Sequence, residues 1–123
     1  MRIKIVYFML SLGLFFSVFG CAAKMPPPLQ DISNAKIALA NAKDVDAQSL
    51  APKSFELAQK HYSDIKFFMN KKEYKSAKYA AQKAHIQAKL AAVKAKKAKV
   101  QKRVDKLNSE VNTIKKEFTT ISE

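Results

Sequence analysis

The chain has 123 residues, with 23 Lys or Arg against 10 Asp or Glu and a formal charge of +13. That length admits one domain, and two glycines, no tryptophan and many Ala, Lys and Gln favour helix over sheet. Much of the apolar content is alanine, so the core is thin, and an enclosed pocket for a small substrate is not expected.

Arg2 and Lys4 open the chain, and no charge follows from Ile5 to Gly20. A short positive stretch, then an apolar run ending in small residues, is the pattern of a secretory signal. The run is somewhat shorter than the roughly 20 apolar residues of a spanning helix. Cys21 is the only cysteine, so it has no disulfide partner within the chain.

Val18-Phe19-Gly20-Cys21 resembles the lipobox of bacterial lipoproteins, although Phe19 stands where that family prefers a small residue. The resemblance implies a signal peptide over 1–20, removed before Cys21, and acyl chains on the Cys21 thiol and the new amino group. Each buried methylene contributes about 0.8 kcal/mol, and two or more chains give stable attachment to a bacterial membrane. Ala22 occupies the place where lipoproteins kept in the inner membrane often carry Asp, which implies sorting to the outer membrane, facing the periplasm. Beyond this covalent lipid no cofactor is expected.

Residues 21–30 read as a tether. Pro26, Pro27 and Pro28 favour an extended polyproline conformation that holds a following domain away from its anchor. A helical domain is expected over 31–99. Asp31 or Ser33 is the expected cap of its first helix, in which Ile32, Ala35, Leu39 and Ala42 recur at helical spacing as far as about Asp46. Pro52 suits the first turn of a second helix, whose stripe is Phe55, Ala58, Tyr62, Ile65 and Met69. Asn70-Lys71-Lys72 makes the next break. His61 and His85 have no ligand partner at metal spacing, so no metal site is expected.

From Glu73 onward there is no proline or glycine, which predicts one long helix. Ala77, Ala81, Ala84, Ala88, Ala91, Ala95 and Ala98 form one stripe along it. Ile86, Leu90, Val93, Val100, Val104, Leu107, Val111, Ile114, Phe118 and Ile121 form a second at the same heptad step, with Lys97 filling the gap. The two are offset by two residues and lie on opposite faces. The alanine face is expected to receive one helix closely and the larger face another. Residues 100–123 read as a coiled-coil-like extension. Val100, Val104, Leu107, Val111, Ile114 and Phe118 are its association stripe, for self-association or for another envelope protein. The expected fold is all-α: two short antiparallel helices on a long third.

Of the 23 basic residues, Arg2 and Lys4 precede Cys21, leaving 21 beyond it against all 10 acids. The segment 71–106 alone carries +11. Lys78, Lys83, Lys89, Lys94, Lys96, Lys99, Lys102 and Arg103 are its candidate basic face, suited to lipid phosphates or peptidoglycan carboxylates. The alternative is a solvated face without a ligand. Nucleic acid is not expected, because an exported chain does not normally meet it and Arg103 is the only arginine beyond Arg2. No G-x-S-x-G, P-loop or paired acid motif is present. No catalytic residue is assigned, and the chain is not expected to be an enzyme.

Ala35, Ala38 and Ala42, then Ala51-Pro52 with Phe55, Leu57 and Ala58, are followed by Tyr74, Ala77, Ala80, Ala81, Ala84, Ala88 and Ala91. On these residues the stretch from Asp31 to about Lys99 resembles a family of small alanine-rich helical bacterial envelope lipoproteins of unknown function, whose domain occurs alone or beside peptidoglycan-binding domains. The resemblance implies an envelope location and a helical hairpin with a long third helix, and brings no active site. Asn70-Lys71-Lys72-Glu73-Tyr74 through Ala77 is also similar to the turn and helix start of tetratricopeptide repeats. Only one helix pair matches, whereas a stable solenoid needs about three repeats. A structural or scaffolding role in the envelope is the expected function, with a cationic adaptor for anionic envelope polymers as the alternative.

Overall fold

A computed structural model describes residues 25–122. The signal over 1–20, its Val18, Phe19 and Gly20, the lipidation site Cys21 and the first residues of the tether lie outside the described residues. The architecture is all-α, with α1 Leu29–Asp44, α2 Ala47–Leu50, α3 Pro52–Asn70 and α4 Tyr74–Ile121. Among the described residues there is no strand, and no helix is long and apolar enough to cross a membrane.

The first helix begins earlier than its expected cap. Pro28 precedes α1 with no side-chain cap, and its carbonyl accepts from the Ile32 N–H at 3.1 Å. Asp31 lies in the first turn, where a carboxylate suits the helix dipole, but its Oδ1 accepts from the Gln82 amide at 3.3 Å and not from the backbone. Ser33 is exposed within the helix. Leu29 and Gln30 therefore belong to α1, and Pro28 is buried at its foot.

Two residues in left-handed conformation make the sharp corners. Asp46, at φ 60°, opens the single turn of α2, which lies between the expected end of the first helix and Pro52. The short polar side chain of Asp tolerates that region better than most. Lys72, at φ 58°, closes α3. Its N–H donates to Met69 O at 3.0 Å and that of Glu73 to Phe68 O at 2.9 Å, which is the Schellman arrangement, with lysine at the position that usually holds glycine. Pro52 occupies the first turn of α3 as expected, where its missing N–H costs nothing.

α4 is the spine. Ala77, Ala80, Ala81, Ala84, Ala88, Ala91 and Ala95 are buried on one side of it, and both α1 and α3 pack there. From α1 come Ala35, Ala38 and Ala42, and from α3 come Ser54, Phe55, Ala58 and Ile65. Among the described residues no large side chain is completely buried, and the wholly buried positions are alanines. Small residues on both sides let helix axes approach closely, so stability comes from many short-range dispersion contacts more than from a few bulky anchors.

The directions follow from three contacts. Asp31 meets Gln82 and Asp46 meets Lys99, so α1 runs parallel to α4. Ser54 meets Lys94, while the α3–α4 turn is tight, so α3 runs antiparallel to both.

One expectation about packing is corrected. The larger apolar stripe does not receive a helix: Ile86 and Val93 are each 63% exposed and Leu90 is 40% exposed. The alanine face is broad enough to seat α1 and α3 side by side. Nothing of the described chain is left to cover the opposite face.

Candidate functional site

Beyond Ala98 the spine leaves its two partners behind, and every residue from Lys99 to Ser122 is exposed. The sequence changes accordingly. The line of alanines ends at Ala98 and is continued by Lys102, Asp105 and Ser109, whereas the opposite stripe stays apolar through Val100, Val104, Leu107, Val111, Ile114 and Phe118. These six are 62%, 42%, 53%, 49%, 51% and 69% exposed. Joined to Ile86, Leu90 and Val93 on the same face, they make an apolar strip, interrupted at Lys97, running from beside the helical domain to the end of the helix.

That strip is the most distinctive surface of the molecule. Soluble monomers seldom expose long contiguous apolar patches. A period of 3.5 residues sustained for more than three heptads is the pattern that packs knobs into holes on another helix. The helix bonds its own backbone throughout, so the open valence of this surface is apolar area and not unpaired amide groups.

The expected basic residues do not share one face. Lys78, Lys89, Lys96 and Arg103 are separated by 11, 7 and 7 residues and line one flank of the apolar strip. Lys83 and Lys94 lie on the other flank, over α3. Lys99 and Lys102 continue the alanine side. Lys78 is half-buried; the others are exposed. Two are already engaged within the chain: the Lys94 Nζ donates to the Ser54 hydroxyl at 3.0 Å, and the Lys99 Nζ lies 2.6 Å from Asp46 Oδ2. The reason is the heptad itself: positions that flank an apolar seam on both sides are nearly half a turn apart. Sequence proximity therefore overstated how far these charges converge.

Between α1 and α4 runs a shallow groove of about 350 Å³, open to solvent, with Asn34, Asn41, His85, Lys89 and Lys96 around an apolar floor that includes Ile37 and Val93. His61 Nδ1 lies 3.5 Å from Asp64 Oδ2, one turn along α3. Among the described residues no three His, Cys, Asp or Glu side chains gather as a metal site. The sequence reading missed Asp46 and Ser54 as holders of the flanking lysines. Both contacts span 40 or more residues, and no local pattern announces them.

The chain belongs to the family described as a domain of unknown function (DUF4398), whose model matches residues 30–107. This agrees with the expected helical domain of unknown function; the match includes neither the segment around Cys21 nor a peptidoglycan-binding neighbour. No curated protein and no solved structure matches the chain.

Proposed function

We propose that this member of the family is a non-enzymatic structural lipoprotein of the cell envelope, held in the outer membrane by acyl chains on Cys21 and projecting its helices into the periplasm. Its work is association: the stripe Val100, Val104, Leu107, Val111, Ile114 and Phe118 binds another helix. The observation that carries the reading is a helix of 48 residues whose last part, beyond Lys99, packs against no helix among the described residues yet keeps its apolar heptads. Solvent alone gives no reason for such a pattern, and a packed helix does. The lipobox resemblance of Val18-Phe19-Gly20-Cys21 supports the location.

Two measurements test it. Mass spectrometry of the N-terminal peptide from membrane-extracted protein should find acylated Cys21; an unmodified Met1 start overturns the anchor. Sedimentation should find an assembly that the triple change Val104→Asp, Leu107→Asp and Val111→Asp disperses. A parent protein that is monomeric and brings down no other protein after mild crosslinking overturns the association role.

A second reading is favoured by the exposed flanking cations. In it Lys83, Lys89, Lys96, Lys102 and Arg103 bind anionic envelope polymers such as peptidoglycan or lipid phosphates. Cationic binding of this kind weakens steeply with salt, since screening shortens to about 3 Å at 1 M; a hydrophobic helix pairing does not. Retention on peptidoglycan sacculi across a salt series separates the two.

A further inference from the structure

We propose that the exposed face of α4 takes α4 of a second copy of this chain, running antiparallel, with Arg103 facing Glu110 and Lys96 facing Glu117. This rests on the reading of the C-terminal heptads as an association surface, and it names the partner and the direction.

The argument is charge complementarity along the seam. Taking Val93, Val100, Leu107, Ile114 and Ile121 as d positions and Leu90, Lys97, Val104, Val111 and Phe118 as a positions, the g flank reads Lys89, Lys96, Arg103, Glu110, Glu117. It is basic in its first half and acidic in its second. The e flank reads Lys94, Gln101, Asn108, Lys115 and carries no acid. In a parallel pair g faces e, so Lys89 meets Lys94, and only Glu110 with Lys115 attracts. In an antiparallel pair g faces g, and a flank divided into a basic and an acidic half is complementary to itself reversed. Flanking charges of this type set partner and orientation in coiled coils.

The register follows from the same flank. With Arg103 on Glu110 and Lys96 on Glu117, each pair occurs twice by symmetry, and Val104 layers on Leu107, Val100 on Val111, and Val93 on Phe118. Sliding the copies by one heptad in one direction sets Arg103 on Arg103; the other direction sets Glu110 on Glu110. On the opposite flank Gln101 meets Asn108, and Lys94 lies toward Lys115. Lys94 is drawn to Ser54 of its own chain at 3.0 Å. Glu110 has one exposed neighbour, Lys106, at 3.7 Å along the same helix, and such a pair does not hold it away from a partner. The surface is free to be covered, since α1 and α3 sit on the alanine side and Val93 and Val100 are 63% and 62% exposed.

The test uses the full chain extracted in mild detergent, with Phe118→Cys alone and with Val93→Cys added, each oxidised and compared with the parent. In the antiparallel pair the two copies of position 118 are 25 residues of rise apart, about 37 Å, far outside the roughly 7 Å that a disulfide spans. The expected result is a crosslinked dimer from the double variant and at most background from the single. A crosslink from the single variant, or a sedimenting dimer with no crosslink from either, overturns the proposal while the association reading stands. A monomer throughout overturns the proposal, and the association reading falls with it only if mild crosslinking also brings down no other protein. As a second arm, Glu110→Lys with Glu117→Lys should weaken dimerisation about tenfold, and adding Lys96→Glu with Arg103→Glu should restore it. Weakening without restoration counts against the proposal.

Discussion

Lys99 reaches back from α4 to Asp46, Nζ to Oδ2 at 2.6 Å, and so closes the far end of the domain onto the residue that turns the chain into α2. Both side chains are well exposed, at 47% and 66%. An exposed pair of this kind contributes about 0–1 kcal/mol. Lys99→Met is therefore expected to lower stability by no more than that, with the difference fading in high salt. Thermal melts at low and high salt check it; a loss of several kcal/mol would mean that the pair organises the corner.

Lys72 is a different case, because it adopts the left-handed conformation with an exposed side chain. A residue with a Cβ gives up about 1–2 kcal/mol there, and glycine returns part of that by its greater freedom in the unfolded chain. Lys72→Gly should stabilise the protein by about 0.5–1 kcal/mol, raising the melting temperature by several degrees for a domain of this size. A lower melting temperature would show that the lysine side chain holds the turn. Its neighbour Lys71, whose Nζ lies 4.2 Å from the centre of the Phe67 ring, should be left in place.

The alanine spine predicts an inverted tolerance to size. Ala84 and Ala88 are completely buried, each facing a packed helix. Ala84→Leu or Ala88→Leu should cost about 1–3 kcal/mol or more by overpacking, whereas Ala98→Leu, at a half-buried position beyond the packed core, should cost little. Phe55, at 3% exposed, is the largest of the well-buried side chains among the described residues, and Phe55→Ala should remove about 3–5 kcal/mol. In so thin a core that is a large share of the total. Denaturant unfolding measures all four.

Hydrogen exchange separates the two halves of α4. In a dilute monomer the amides of residues 99–121 should exchange fast, because an isolated helix of that length is marginal in water, while those of 77–95 should follow global opening. Raising concentration should protect the first group and leave the second nearly unchanged. Uniform protection along the whole helix in a dilute monomer would contradict this division.

Much of the architecture was legible because helical spacing survives dilution with lysine. Phe55, Ala58, Tyr62, Ile65 and Met69 all turn inward, fully or half buried, and the alanine stripe of α4 is buried from Ala77 to Ala95. What escaped depends on the backbone or on distant contacts. Asp46 gives no more sign of a left-handed corner than Asp44 does, so α2 and its wholly buried Ala47 went unseen. Pro28 looks like tether and is packed. The grouping of eight cations into one face failed because adjacency along a chain says little about direction around a helix. The apolar stripe is exposed along its length, and the spacing that reveals it does not say what covers it.

The parallel course of α1 and α4 gives the molecule a direction. Met25 lies beside Lys72, Tyr74 and Lys75, at the start of the spine, and Ile121 lies about 70 Å farther along at 1.5 Å per residue. Met25 therefore sits at one tip, and the bare heptads leave from the other, so a single copy is a mast. Two copies paired antiparallel through those heptads would be a spar with a Met25 near each end, about 95 Å apart by the same rise. Moored twice to one membrane, such a spar must lie along it; moored to two, it keeps them apart.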